Sequence, residues 1–514
     1  MRFAVVAHTI GLVVRIFGAV LVAPLIVDLI YGNWMEAIGF AIAGASAAIA
    51  GELMRRMDRH KTDLTRIEGL AVVAFSWLVV SFFAAIPYLW SGLSLVDAAF
   101  ESMSGLTTTG ATIFRDFSLY SEGLFFWRAM TQWLGGMGVI ALFIAILPAL
   151  AIAGRQMFFA EAPGPDEDRL TPRIRDTAIR LWSLYVALSA VEVVCLWWVG
   201  MPLYDAICNT LTTMSAGGFS PNPESIAGYA NPAAEWVIVG FMFIAGANYS
   251  LWYRFFRGRP LSLLRDEEFR VYLIVLLVAT LLLGIFLYQF SLDPGADYIA
   301  NAPQGGVLRE ASIETIARQA SFQVLTIVTT AGFAADDFNL WNDSAKAVML
   351  VLMFLGGCAG SASGGPKLIR LWLVAKFTYV ELFRVLHPHG VRPVRLGKRV
   401  VSTEVMQSIV AFFLMYLSIF AISVVVLVGL GADMLTGITA SIATLGNIGP
   451  GFNMVGPMAS YADFDPLSKW VLFINMWVGR LEVMTVLVFL QPQIWRKAHW
   501  HTYERPALSR NGLE

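Results

Sequence analysis

Ten stretches of about 20 predominantly apolar residues recur along the chain, and each is long enough to cross a hydrocarbon layer of about 30 Å as a helix. They lie near 4 to 30, 33 to 53, 68 to 91, 124 to 152, 177 to 200, 233 to 256, 271 to 290, 345 to 379, 404 to 430 and 467 to 490. In lipid every backbone N–H and C=O needs an internal partner, which leaves the helix as the spanning element for runs of this kind. The 514 residues are 57% hydrophobic and only 14% charged, the balance of a polytopic membrane protein and not of a soluble domain. The first stretch, MRFAVVAHTIGLVVRIFGAVLVAPLIVDLI, exceeds the apolar core of a signal peptide, carries Arg15 and lacks a small-residue cleavage site. It reads as a retained helix.

In such a chain the placement of charge informs more than its sum of −1. Basic connectors follow alternate apolar stretches: Arg55, Arg56, Arg59, Lys61 and Arg66; Arg155 to Arg180; Arg254 to Arg270; Arg370 to Arg399; and a tail with Arg496, Lys497, Arg505 and Arg510. The intervening connectors, such as SPNPESIAGYANPAAE at 220 to 235 and AADDFNLWND at 334 to 343, hold few or no basic residues and several acids. The positive-inside rule turns the basic set to the cytoplasm and, with an even number of spans, puts both termini there.

Several function classes are excluded. No basic stripe suggests nucleic acid. No HExxH, no GxSxG and no paired intramembrane acids support a membrane enzyme, and GGMG at 135 to 138 lacks the context of a dinucleotide fingerprint and reads as small-residue helix packing. Cys195, Cys208 and Cys358 have no metal-ligand spacing and read as packing residues. The pairs His387/His389 and His499/His501 read as solvated juxtamembrane residues.

The outward connectors carry a repeat. MSGLTTTGA (103 to 111), LTTMSAGGF (211 to 219), LTIVTTAGF (325 to 333) and IATLGNIGP (442 to 450) align without gaps on Gly110, Gly218, Gly332 and Gly449, spaced by 108, 114 and 117 residues. Each turn follows a half-apolar segment too short to span, so the segment must enter from outside and return. Irregular backbone at that depth is tolerated where protein shields it or where it lines a wet cavity. Glycine permits positive φ there. Four such turns about one axis would stack rings of carbonyl oxygens and threonine hydroxyls, suited to replacing the hydration shell of a monovalent cation. The negative ends of the short helices would favour the same charge.

These four units, the turns GGFS, AGFA and NIGPGF, and the strings FLGGCAGSASGGPKLIR (354 to 370), WRAMTQWLGGMGVI (127 to 140) and NMWVGRLEVMTVLVFLQPQIWR (475 to 496) resemble the Trk/Ktr/HKT superfamily of potassium transporters, the bacterial TrkH-type potassium uptake subunit above all. The resemblance covers essentially the whole chain. It implies an all-α polytopic membrane protein with ten transmembrane helices and four re-entrant pore segments in a pseudo-fourfold helix, pore-loop, helix arrangement. The corresponding division is an N-terminal helix pair (1–66), pore repeats at 67–154, 155–258, 259–385 and 386–496, and a cytoplasmic tail (497–514).

The resemblance further implies potassium uptake across the bacterial cytoplasmic membrane through a filter of Thr107, Thr108, Thr109 and Gly110; Ala216, Gly217 and Gly218; Thr329, Thr330, Ala331 and Gly332; and Asn447, Ile448 and Gly449. Potassium would be held at Thr108, Thr109, Ala216, Gly217, Thr330, Ala331, Asn447 and Ile448. A glycine at the centre of every turn is the pattern the family associates with potassium preference. Ala216 and Asn447 depart from a threonine-rich ideal. Five glycines interrupt the eighth apolar stretch (Gly356, Gly357, Gly360, Gly364 and Gly365), at roughly 1 kcal/mol each in helix propensity. In the family this is an intramembrane gating loop, with Ser361, Ser363 and Lys367 in or just after it and Arg480 against it.

Alternatives stay open at several residues. Arg480 either gates or only braces loop carbonyls; Lys367 either belongs to the gate or snorkels to the cytoplasm. Asp97 and Asp205 either cap the short helices or attract cations, and Asp336 and Asp337 are either mouth charges or an ordinary loop. The family has been described both as channel and as symporter, so a proton- or sodium-coupled mechanism and a pore conducting both sodium and potassium remain. No covalently bound cofactor is expected. A peripheral TrkA-like ring that binds NAD or ATP, a homodimer and the membrane lipids are the partners implied.

Overall fold

The computed structural model describes residues 1–58, 64–146, 170–292, 312–397 and 399–496. Six helices in it are long and apolar enough to cross a membrane: Phe3–Tyr31, Trp34–Arg55, Ile67–Trp90, Asp176–Trp198, Glu267–Ser291 and Thr403–Gly429. Their starts follow local chemistry. Thr65 and Glu68 form a capping box at the head of the third, and the Asp266 carboxylate accepts from the Phe269 N–H at 2.9 Å at the head of the fifth. The first is interrupted at Leu21, between Phe3–Val20 and Val22–Tyr31, because Pro24 offers no N–H to the Val20 carbonyl. It packs on Trp34–Arg55 through glycines: a Cβ on Gly11 would stand 2.6 Å from the Gly51 carbonyl oxygen, and one on Gly18 would stand 2.8 Å from that of Gly44.

Along Glu267–Ser291, Leu276, Leu283 and Leu287 are buried while Leu277, Val278 and Leu281 are 60% exposed or more. A soluble helix would make the second face polar; an equally apolar one is built for hydrocarbon, so the chain is an integral membrane protein.

Ten uninterrupted spans are not what the described residues form. The stretch expected at 233 to 256 is two helices, Pro232–Gly246 and Tyr249–Phe256, bent by 106°; that at 467 to 490 is Pro466–Arg480 and Val483–Leu490, bent by 110°. The first breaks where Ala247 is extended and Asn248 caps a new helix, accepting from the Ser250 N–H at 2.8 Å. The second breaks at Glu482, whose φ of 63° no helix accommodates. The stretch at 345 to 379 divides into Asp343–Leu352 and Leu368–Leu386 around the glycine-rich segment. Counting each bent pair as one span gives eight. Glu122–Ile146 fills most of the stretch expected at 124 to 152, whose end at 147–152 lies outside the described residues. One departure from all-α is a two-stranded antiparallel hairpin, β1 (Arg395–Leu396) with β2 (Arg399–Val400), in which Arg395 pairs with Val400.

Candidate functional site

Four short helices, Leu95–Leu106, Leu203–Met214, Ile313–Val328 and Met434–Leu445, run into the four turns. Ser94, Ser312 and Asp433 cap three of them through side-chain oxygens, while Pro202 stands at the head of the second without a side-chain cap. All four end alike. Thr107, Ser215, Thr329 and Gly446 close the helices with φ of −78°, −83°, −83° and −82°. The next residues, Thr108, Ala216, Thr330 and Asn447, are left-handed at 53°, 55°, 58° and 53°. The residues after those donate backbone N–H groups five residues back: Thr109 to Ser104 at 2.9 Å, Gly217 to Thr212 at 2.8 Å, Ala331 to Thr326 at 2.8 Å and Ile448 to Ala443 at 2.7 Å.

This is a Schellman closure, which ordinarily places glycine at the left-handed position. A side chain there costs about 1–2 kcal/mol, and four equally strained turns mark a constraint beyond stability.

The turns meet in a ring. A Cβ on Gly110 would overlap the Gly217 carbonyl oxygen, one on Gly218 that of Ala331 and one on Gly332 that of Ile448; one on Gly449 would stand 2.6 Å from that of Thr109. Each glycine thus abuts the carbonyl just before the glycine of the next turn, and the fourth closes on the first. All four glycines line one cavity of about 60 Å³. Outside it opens a cavity of about 890 Å³, whose lining holds five acids (Glu224, Glu235, Asp336, Asp337 and Asp463) against two arginines. Those arginines, Arg115 and Arg318, are themselves paired with Asp463 and Glu235. Asp336 accepts from the Trp341 indole at 3.0 Å, and Asp337 accepts from the Asn339 N–H at 3.1 Å. Burial raises the Asp337 carboxyl above the usual carboxylate range.

Long-range side chains brace the ring. Arg128 and Glu101, both buried, pair at 2.7 Å, and Glu101 also accepts from the Ile113 N–H beyond the first turn at 2.9 Å. Gln132 donates to the Gly217 carbonyl at 2.7 Å. Asn447 donates to the Thr109 hydroxyl at 2.9 Å and the Met476 carbonyl at 3.0 Å. Glycines allow the following helices to press against the turns: a Cβ on Gly135 would overlap the Leu106 carbonyl, and one on Gly479 that of Leu445.

The glycine-rich segment lies directly beneath. The Gly364 N–H donates to the Thr330 hydroxyl at 2.7 Å, so the segment touches the third turn. Lys367 donates to the Ser363 carbonyl at 2.8 Å and Arg480 to the Ala362 carbonyl at 3.1 Å, both head groups buried. Backbone bonds from Cys358 and Ala362 to the Gly246 and Ala245 carbonyls, at 2.9 and 3.3 Å, stitch the segment to the break in the second repeat.

The expected filter residues are therefore brought together, and so are the segment, Lys367 and Arg480. Lys367 folds back on the segment and does not snorkel. Asp97 is not a cap: Ser94 is, and Asp97 pairs with Lys469 at 2.6 Å. Asp205 lies in the first turn of its helix behind Pro202. GGMG packs on the turns through Gly135 and Gly136. Ser215 and Gly446 hold the places of Thr107 and Thr329 in the ungapped alignment and belong to the same closure. Gln132, Glu101 and Arg128 carried no local signal, since their partners are distant in sequence. Among the described residues no cluster of His, Cys, Asp or Glu could hold a metal ion; the oxygens at the ring are carbonyls and hydroxyls.

A helical membrane protein whose four matched turns close on one cavity, with a backbone carbonyl at each seam, has the build of an ion transporter. The family model for TrkH, described as a cation transport protein, matches residues 37–497. The chain is 36% identical over 502 residues to the Trk system potassium uptake protein TrkH of Salmonella typhimurium, covering 97% of this chain and 100% of that protein. It is 30% identical to the Trk system potassium uptake protein TrkG of Escherichia coli, over 96% of this chain and 98% of that one. The crystal structure of the potassium transporter TrkH from Vibrio parahaemolyticus superposes with a TM-score of 0.85 at 32% identity, over 96% of this chain and 100% of that one. The chain belongs to the TrkH family, a family of transporters and not of enzymes.

Proposed function

We propose that the protein carries potassium inward across the bacterial cytoplasmic membrane through one pseudo-fourfold filter made by the four turns and gated by residues 356–365. The relatives are named potassium uptake proteins. The observation that carries the reading is the closed ring: each turn glycine abuts the carbonyl of the next turn around a cavity all four share. Carbonyl rings replace the hydration shell of a monovalent cation, and the short helices aim their partly negative ends at the same place. Potassium would be held by the carbonyls of Thr108 and Thr109, Ala216 and Gly217, Thr330 and Ala331, and Asn447 and Ile448. The short helices are the re-entrant segments of this reading, and the three broken helices that follow the later turns complete the repeats.

The surplus of acids at the outer cavity concentrates cations there. Lys367 and Arg480 put two positive charges on the segment below, where they oppose a cation's passage until the segment moves. Both termini lie in the cytoplasm in this orientation. The basic cytoplasmic segments offer a docking face for a TrkA-like nucleotide-binding ring, and the relatives' name, Trk system, fits a transporter of more than one component. A homodimer with one pore per protomer completes the assembly.

Gly332→Ser tests the filter. Serine at a φ of 74° against the Ile448 carbonyl distorts the ring, and the potassium-over-sodium permeability ratio is expected to fall while the protein still folds. An unchanged ratio removes the third turn from the filter. Unitary currents in a planar bilayer distinguish a channel from a coupled symporter: discrete openings that reverse at the potassium equilibrium potential alone exclude coupling.

A further inference from the structure

The four quarters of the ring differ at the residue whose carbonyl meets the neighbouring glycine. Three of these residues have side chains, Thr109, Ala331 and Ile448; the fourth, Gly217, has none. The volume a Cβ would occupy at Gly217 is filled by the Gln132 carboxamide. Gln132 is wholly buried, accepts from the Phe219 N–H through Oε1 at 3.1 Å and donates through Nε2 to the Gly217 carbonyl at 2.7 Å. That carbonyl still faces the seam, as close to Gly110 as the Ala331 carbonyl is to Gly218 and the Ile448 carbonyl to Gly332. It therefore serves two partners. Arg128, Gln132 and Gly135 lie on one helical face at spacings of four and three, and that face reaches Glu101, the second turn and the first turn in succession.

We infer that Gln132 is a specificity-determining positioning residue: it fixes the Gly217 carbonyl and shares its lone pairs, so the second quarter of the ring is the stiffest and the weakest ion donor. This rests on the reading of the turns as the filter. Asn447 gives no equivalent in the fourth turn, because its amide binds the Thr109 hydroxyl and the Met476 carbonyl instead of a ring carbonyl. A glycine at 217 and a glutamine at 132 form one unit, since a methyl group at 217 would displace the carboxamide.

The test is the potassium-over-sodium permeability ratio, taken from bi-ionic reversal potentials of the full-length protein in planar bilayers. Gln132→Leu removes the donor at similar length. Gln132→Met, closer to glutamine in shape, likewise leaves no donor for the Gly217 carbonyl and adds no charge. Each is expected to change the ratio by about fivefold, the worth of one hydrogen bond. Gly217→Ala is expected to do the same and to add nothing on top of Gln132→Leu, as coupled sites do. A wild-type ratio in Gln132→Leu, lower folded yield with an unchanged ratio, or additive effects of the two substitutions would overturn the inference. If Gln132→Leu does not reach the membrane, Gln132→Met decides alone by the same criterion. Gly332→Ser, measured alongside, separates the two readings: if it shifts the ratio and Gln132→Leu does not, the role of Gln132 fails alone, and if neither does, the filter itself fails.

Discussion

Replacing Arg128 by methionine would strand the Glu101 carboxylate in the protein interior. Glu101 is fully buried and Arg128 is 2% exposed. Their 2.7 Å bond is backed by a second from Arg128 to the Thr112 hydroxyl at 2.9 Å. The guanidinium also lies 4.0 Å from the Phe219 ring centroid. In Arg128→Met, Glu101 would keep only the Ile113 N–H and the Thr112 hydroxyl as donors. Removing one partner of a buried pair costs about 3–5 kcal/mol. The escape route is protonation, which for an ordinary carboxyl costs roughly 4 kcal/mol at pH 7 and about 1 kcal/mol at pH 5. The penalty is therefore expected to be about 3–4 kcal/mol at neutral pH, to shrink on acidification, and to be largely relieved in Arg128→Met with Glu101→Gln. Heat-induced unfolding of the purified protein in detergent, followed at pH 7 and pH 5, reads this out. A double variant no more stable than Arg128→Met at pH 7 would refute the reasoning.

Three further outcomes are expected. Thr330→Val deletes the acceptor that ties Gly364 to the third turn, and the mean open time in bilayer recordings should change severalfold, with selectivity altered less than in Gly332→Ser. Arg480→Met removes a buried positive charge from below the ring; since a unit charge at ~8 Å through an effective dielectric of ~20 is worth about 2 kcal/mol, resting rubidium flux into proteoliposomes should rise roughly thirtyfold, and a flux at or below wild type counts against an electrostatic gate. Asp336→Asn with Asp337→Asn should lower potassium uptake about two- to threefold at 10 mM ionic strength and hardly at 150 mM, as the Debye length contracts from about 30 to about 8 Å. Because burial raises the Asp337 carboxyl, its charge is lost early as the outer solution is acidified, so the effect of these substitutions should fade with falling pH.

The parts of this fold that sequence makes legible are those in which a residue type is forced by local geometry. Gly110, Gly218, Gly332 and Gly449 stand where φ is between 74° and 102° and a neighbouring carbonyl leaves no room for Cβ, so they repeat and can be aligned. Two residues earlier the same left-handed geometry is filled by threonine, alanine, threonine and asparagine. No residue pattern marks it, because the surrounding structure imposes the conformation against intrinsic preference. The break at Gly356–Gly365 was readable as a run of glycines. Those at Ala247 and Glu482 were not, since each depends on one or two residues inside an apolar run, and hydropathy alone joins the halves. Asn248 was a faint signal of a helix start. Gln132 and Arg128 were invisible for a different reason: their partners, Gly217 and Glu101, are 85 and 27 residues away.

In the proposed mechanism the four turns bind one file of cations between them. The most direct measurement is anomalous diffraction from the protein loaded with thallium or rubidium in place of potassium. A peak is expected within the cavity shared by Gly110, Gly218, Gly332 and Gly449, within coordination distance of the Thr109, Gly217, Ala331 and Ile448 carbonyls. Protein that transports rubidium yet binds it elsewhere and leaves that cavity without a peak would contradict it.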